Sequence, residues 1–419
     1  LSAFVGSGSA ADPAAARALE RALRSRGVQG RERGAFAEAL QRMAAEYRVE
    51  LSPEMTEITL SVLAEDAVAA LELLAALLRT PAIGEEEVAA VRQQAERARL
   101  PSAGATGESG PVLYEGSLGM AVERFNALLF GEHPYGGQIT PEQTRTLTAE
   151  RVRAFHARHF VPQNVVLAVA GDIPRAEAEV ALERSFAGWT GQAPPAARPA
   201  ARVATRAPRR IHSYPAEKLQ AWVVMGHELP PVPLADQAPL EVMNYILGGG
   251  HFDTRLFREV RDKRGLANTA GGFPEPGVRG PGSYTFRTYG RPEVVPFLIE
   301  IMLRDVKRIR SEPVSEEELR IAQGALADGA FPMMFEDGHA TARTYAREWL
   351  QHRSHERTAS YPQRIRSVTR RDVQAAARRY LHPERMQIVL VGPIEEVRTG
   401  SHPEGTMRLE DFGALVPGR

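Results

Sequence analysis

Metal ligands and nucleophiles are the residue types that could do chemistry in this chain. Its 419 residues include eleven histidines and no cysteine. Thiolate zinc sites, iron–sulfur clusters, disulfides and thiol nucleophiles are therefore excluded, while reducing and oxidising compartments both stay open. The densest local ligand set is His352-Arg353-Ser354-His355-Glu356. Two imidazoles at i and i+3 beside a carboxylate suit a metal on a helix, yet no third ligand lies nearby and the charged run reads as a solvated face. His133 and His251 read as structural or loop residues. No Ser-His-Asp pattern replaces a metal. Glu20 has Arg17 at i−3 and Arg24 at i+4, the spacing of surface ion pairs worth about 0.3–0.5 kcal/mol each.

These residues must be positioned by an ordinary globular scaffold. Apolar residues make up 43% and charged residues 25%, and 52 basic residues cancel 52 acidic ones. Zero net charge argues against a nucleic-acid or anionic-membrane binder driven by bulk electrostatics. The apolar stretch from Ala67 to Leu78, interrupted by Glu72, predicts a helix packed on a sheet and is far shorter than the roughly 20 residues of a membrane span. The first residues, LSAFVGSGSA, lack the pattern of a signal peptide. They read as part of a strand, which leaves open a cleaved segment before Leu1.

The chain repeats itself. TAERVRAFHARHFVPQNVVLAVAGDI aligns with VTRRDVQAAARRYLHPERMQIVLVGPI, pairing Val152 with Val373, Phe160 with Leu381, Pro162 with Pro383 and Gly171 with Gly392, at a constant offset of 221. Both copies end in a predicted buried strand, 165–173 and 386–394. EEEVAAVRQQ near Val88 similarly matches SEEELRIAQG near Leu319 at an offset of 231. A Pro, Ala and Arg-rich stretch, 191–210, separates the halves without hydrophobic periodicity and reads as a linker. No glycine-rich nucleotide fingerprint follows a strand, so the class is α+β. The expected architecture is two tandem homologous domains, 1–190 and 211–419, each a mixed, mainly antiparallel sheet packed with helices, joined like a clam shell.

Three features carry a family resemblance: GEHPYGGQITPEQTRTLTAERVRAFHARHFVPQNVVLAVAGDI, YILGGGHFDTRLFREVRDKRGLANTAGGF, and the paired-domain layout. The chain resembles the pitrilysin and insulinase family of inverted zinc peptidases, whose relatives include mitochondrial processing peptidase and the respiratory-complex core proteins. Active members carry H-x-x-E-H near the start of the first domain and a further Glu about 76 residues on. Two imidazoles on one helical face hold zinc, and the Glu between them acts as base on metal-bound water. Laid on this chain, the motif falls on Arg17-Ala18-Leu19-Glu20-Arg21, and the distant Glu falls on Arg97 beside Glu96. A one-residue slip would restore that carboxylate. Arginine has no lone pair to offer and stays protonated, so the resemblance implies a dead metal site, with no catalytic residue or cofactor in this chain.

The second domain of such peptidases supplies substrate contacts, an Arg and a Tyr seven residues apart. Here they correspond to Arg261 and Asn268, with Tyr284 or Tyr289 as stand-ins for the missing phenol; an ion pair of Arg261 with Glu259 or Asp262 is the competing assignment. Gly248, Gly249 and Gly250 would let a bound peptide approach closely. Tyr47 to Leu63 resembles the edge strand to which an extended peptide is added. The resemblance thus implies a noncatalytic, substrate-binding subunit of a heterodimeric zinc peptidase, whose homologous catalytic partner brings the zinc. The alternative is a structural or interaction protein of the same fold, and hydrolysis by this chain alone is the least favoured reading. Neither a nucleic-acid partner nor a membrane span is expected, and a soluble protein of the bacterial periplasm or cytoplasm fits.

Overall fold

The computed structural model describes residues 1–30, 32, 34–97, 117–131, 133–136, 139–192, 208–278 and 280–418. They form two compact units, each an α+β assembly built on one sheet. In the first unit, β1 (Ser2–Val5), β2 (Glu46–Leu51), β3 (Thr56–Ser61) and β4 (Val165–Ala168) pair in the order β2-β3-β1-β4, antiparallel throughout. In the second, β5 (Arg210–Pro215), β6 (Ala221–Leu229), β7 (Ala270–Glu275), β8 (Gly282–Gly290), β9 (Gln387–Gly392) and β10 (Ala414–Pro417) run in the order β10-β5-β9-β6-β8-β7. Only β5 pairs in parallel, with β9 and β10.

The internal repeat reappears as local chemistry. Thr148 caps the helix Ala149–His159 by accepting from the Arg151 N–H, and Thr369 caps Arg370–Tyr380 through the Asp372 N–H. A one-turn 3-10 segment follows in each copy, Pro162–Asn164 and Pro383–Arg385, and then β4 and β9. Gly171 and Gly392 close the copies at φ 142° and 149°, where a side chain is strained; at Gly392 a Cβ would also stand 2.9 Å from Ala221. The two strands differ in length and burial. β9 is buried along all six residues, whereas β4 spans only four half-buried ones and stops well short of residue 173.

Alternation along the strands sorts side chains onto two faces. Ala3, Val5, Val49, Ile58 and Leu60 join a core with the helices Pro13–Ser25 and Ala67–Arg79, and the latter matches the predicted helix. Phe4, Val166 and Ala168 face the other way, against Ala346 and Leu350 of the helix Gly338–His352. In the second unit, Val224, Val389 and Val391 pack on Ala121, Phe125 and Leu129 of the helix Ser117–Phe130.

These two covering helices are displaced from one another in sequence by the same 221 residues as the repeat, since they begin at Ser117 and Gly338. Each belongs to the compact unit of the other half of the chain: residues 117–136 group with the second unit and 332–359 with the first. A division into contiguous halves misses this exchange, because the burial of a second sheet face is a non-local event. Most of the expected linker, 193–207, lies outside the described residues, and β5 begins at Arg210 within its end.

Candidate functional site

The helix Pro13–Ser25 starts at Asp12, whose carboxylate accepts from Ala15 N–H at 3.1 Å and pairs with Arg151 at 2.7 Å. Its buried stripe of Ala15, Ala18, Leu19, Ala22 and Leu23 turns to the core. Glu20 takes both arginines assigned to it by spacing: Arg17 Nη1 lies 2.8 Å from Oε2, and Arg24 Nη2 lies 2.9 Å from Oε1. The expectation of a surface network needs correction, because the Glu20 side chain is only 6% exposed while Arg17 and Arg24 retain 39% and 40%. The carboxylate is buried and fully engaged, and the guanidinium groups meet water in its place.

Arg21 is exposed and has no ion pair among the described residues. Arg97 ends the helix Glu85–Arg97, and its side chain lies outside those the structure describes. The donor set does not fit a zinc ion. Guanidinium nitrogens carry no free lone pair, and one oxygen of Glu20 already accepts from Arg17 while the other is ion-paired with Arg24. Among the described residues no group of three or more His, Asp and Glu side chains is arranged to hold a metal.

The strand β2 forms one edge of its sheet. Ser52 N–H donates to Met55 O at 2.9 Å, in register with the β2–β3 pairing. In an antiparallel ladder the paired and unpaired residues alternate, so Glu50, Arg48 and Glu46 bond to β3 while Tyr47, Val49 and Leu51 direct their backbone groups off the edge. Val49 O there accepts from Arg24 Nη2 at 2.6 Å. Tyr47 donates its hydroxyl to Leu23 O at 2.9 Å and meets Phe36 edge to face.

In the second unit Arg261 lies exposed on a π-helical turn, Arg258–Asp262. Its guanidinium stands 4.9 Å from the centre of the Phe257 ring and 5.5 Å from that of Phe252, a cation–π arrangement. It forms no ion pair among the described residues, because Glu259 is occupied by Lys263, Arg264 and Arg304. Asn268 is also exposed, beyond the turn closed by Gly265 at φ 60°. The sequence reading missed the two phenylalanines, although Phe257 stands one helical turn before Arg261.

Tyr284, Gly248 and Gly250 face inward. Tyr284 is fully buried and donates its hydroxyl to Asn244 Oδ1 at 2.6 Å, with burial pushing its pKa up. It is therefore not placed to replace the missing phenol. Tyr289 stacks on Trp222. Gly248 and Gly250 are buried and Gly249 is exposed. A Cβ on Gly248 would stand 2.8 Å from the Gly272 nitrogen of β7, and one on Gly250 would stand 2.6 Å from the Tyr245 ring. The run thus packs a helix end against its own sheet.

His352 closes its helix and Arg353 adopts φ 54°, so His352 and His355 sit on separate elements and not on one helical face. His355 packs on Tyr345 and Trp349. His133 is buried and accepts from Tyr135 N–H, as a structural residue does. The side chain of His251 lies outside the described residues. No helix among the described residues is long and apolar enough to cross a membrane.

Two family profiles match the chain: insulinase (peptidase family M16) over residues 1–101, and the peptidase M16 inactive domain over 146–326. An uncharacterized zinc protease of Streptomyces coelicolor is 29% identical over 286 residues, 65% of this chain and 60% of that protein. One from Mycobacterium tuberculosis H37Rv is 28% identical over 277 residues, 65% of this chain and 62% of its own. The matched region thus spans about three-fifths of these relatives. A peptidase M16 inactive domain from Pseudomonas fluorescens superposes with a TM-score of 0.78 at 22% identity, covering 96% of this chain and 93% of its own. A protease from Helicobacter pylori gives 0.80 at 19%, covering 94% and 93%. These two likenesses concern the fold. The chain belongs to the insulinase family of peptidases, family M16.

Proposed function

We propose that this chain is the noncatalytic, substrate-binding subunit of a two-chain zinc peptidase. The observation that carries the reading is Glu20: it occupies the acid position of the inverted motif, yet its two oxygens are held by Arg17 and Arg24. A homologous partner with an intact H-x-x-E-H would bring zinc and its activated water. This chain would hold the substrate, through the open backbone groups of β2 and through Arg261. An extended peptide added to β2 gains main-chain hydrogen bonds regardless of its sequence. Arg261, exposed, without an ion pair among the described residues and steadied by two phenyl rings, supports this role by having donors left for a peptide carbonyl.

The test is co-expression with a homologue carrying the intact motif, followed by peptide cleavage with and without Arg261→Ala. The reading predicts an assembled pair that is active, and a variant that assembles equally well but loses at least tenfold in kcat/KM, roughly one charge-assisted hydrogen bond. Full activity in the variant, or full activity of the partner alone, overturns it.

A further inference from the structure

The contact between Arg24 and the strand edge is not explained by the degenerate motif alone. Arg24 reaches past Glu20 and donates to the one Val49 carbonyl that faces off the sheet, at 2.6 Å, while Glu20 Oε1 anchors the same guanidinium at 2.9 Å. Tyr47 and Leu51, the other residues facing the edge, have no comparable cap among the described residues. We propose that Arg24 sets the peptide specificity of this edge: it satisfies the Val49 carbonyl in advance, so that, of the peptide positions whose N–H faces the edge, the one opposite Val49 accepts a proline or other N-alkylated residue.

This rests on β2 being the peptide-binding edge. An added antiparallel strand places one residue opposite Val49, which would ordinarily donate its N–H to Val49 O and accept from Val49 N–H. With Arg24 in place the first bond is already made, and only the acceptor is needed. Proline lacks the donor but keeps its carbonyl, so it loses nothing there. Opposite Tyr47 or Leu51 the same substitution leaves a strand carbonyl without its partner. The substrate class is therefore extended peptide with a tolerated imino acid at one register position.

The test is an N-methyl scan of a labelled peptide of alternating valine, threonine and lysine, read as binding to the purified full chain by fluorescence anisotropy. The alternate positions whose N–H points away from β2 should be indifferent to methylation; among those facing β2, the position opposite Val49 should be indifferent too, and the positions two residues to either side of it should lose about fivefold in affinity. In Arg24→Met, which keeps the stem and removes the donors, the position opposite Val49 should become sensitive by about the same factor. Arg17→Met removes the other partner of Glu20 and should leave the wild-type pattern. Equal sensitivity at every alternate position in the wild type, or tolerance that survives in Arg24→Met, overturns the role of Arg24. Indifference at all positions means the peptide is not on a strand edge, and defeats the reading of β2 itself. The wild-type scan alone decides if the variant fails to fold.

Discussion

Replacing Glu57 by glutamine tests how the helix Gly338–His352 is held on the first sheet. The Glu57 side chain is 2% exposed and accepts from both Arg343 and Arg347, with Nη2 distances of 3.0 and 2.6 Å. A fully buried ion that loses its partner costs about 3–5 kcal/mol. Two features lower the figure here. Arg343 and Arg347 are 35% and 39% exposed, so water can solvate them, and Glu50 lies 3.4 Å from Arg343 as a weaker substitute. Glutamine keeps the shape and one acceptor, which leaves a loss of about 2 kcal/mol. The remaining anchor is apolar, Ala346 and Leu350 on Phe4, Val166 and Ala168, so the helix should open locally before the unit unfolds. Hydrogen exchange should accelerate about 30-fold in this helix, with little change in Pro13–Ser25. Trp349, on the same helix and 41% exposed, gives a fluorescence readout. Unchanged exchange in the helix, or an equal acceleration across both helices, would refute the local-clamp argument.

Two further predictions concern the second unit. His227 is buried, with Nδ1 at 2.8 Å from Glu228 O and Nε2 accepting from His382 N–H at 3.1 Å, and burial drives its pKa down to about 4. The unfolded chain therefore takes up the proton first, so this contribution to stability is intact above about pH 6.5 and is lost, by about 3 kcal/mol in all, as pH falls toward 4. Urea midpoints measured across that window should fall more steeply in the wild type than in His227→Asn; parallel slopes would remove His227 as the cause. Gly248→Ala should destabilise the chain by about 1–3 kcal/mol, since the new methyl meets the Gly272 backbone nitrogen at 2.8 Å. A neutral substitution in a thermal melt would show that the helix end is free to move.

What could be read from the sequence was local. Thr148 and Thr369, Pro162 and Pro383, and Gly171 and Gly392 mark caps and turns whose chemistry depends on a few neighbouring residues, so their constant offset exposed the repeat. The pairing of Glu20 was legible for the same reason, since i−3 and i+4 positions share a helix face. Its burial was not, because that depends on packing beyond its own helix. Tyr284 sits in β8, which is buried along nearly its whole length on both faces, so its period alone could not show that the phenol is enclosed. The exchange of the two covering helices left no mark on periodicity: an apolar stripe states that a face will be covered, and not by which sheet.

Arg17 and Arg24 hold Glu20, the acid at the motif position, and the proposed function requires that this chain neither bind zinc there nor cleave peptides unaided. The most direct measurement is the zinc content of the purified single chain, taken together with its cleavage of an unstructured peptide before and after chelation. No stoichiometric zinc and no chelator-sensitive cleavage are expected. One zinc per chain, lost together with activity on chelation, would contradict it.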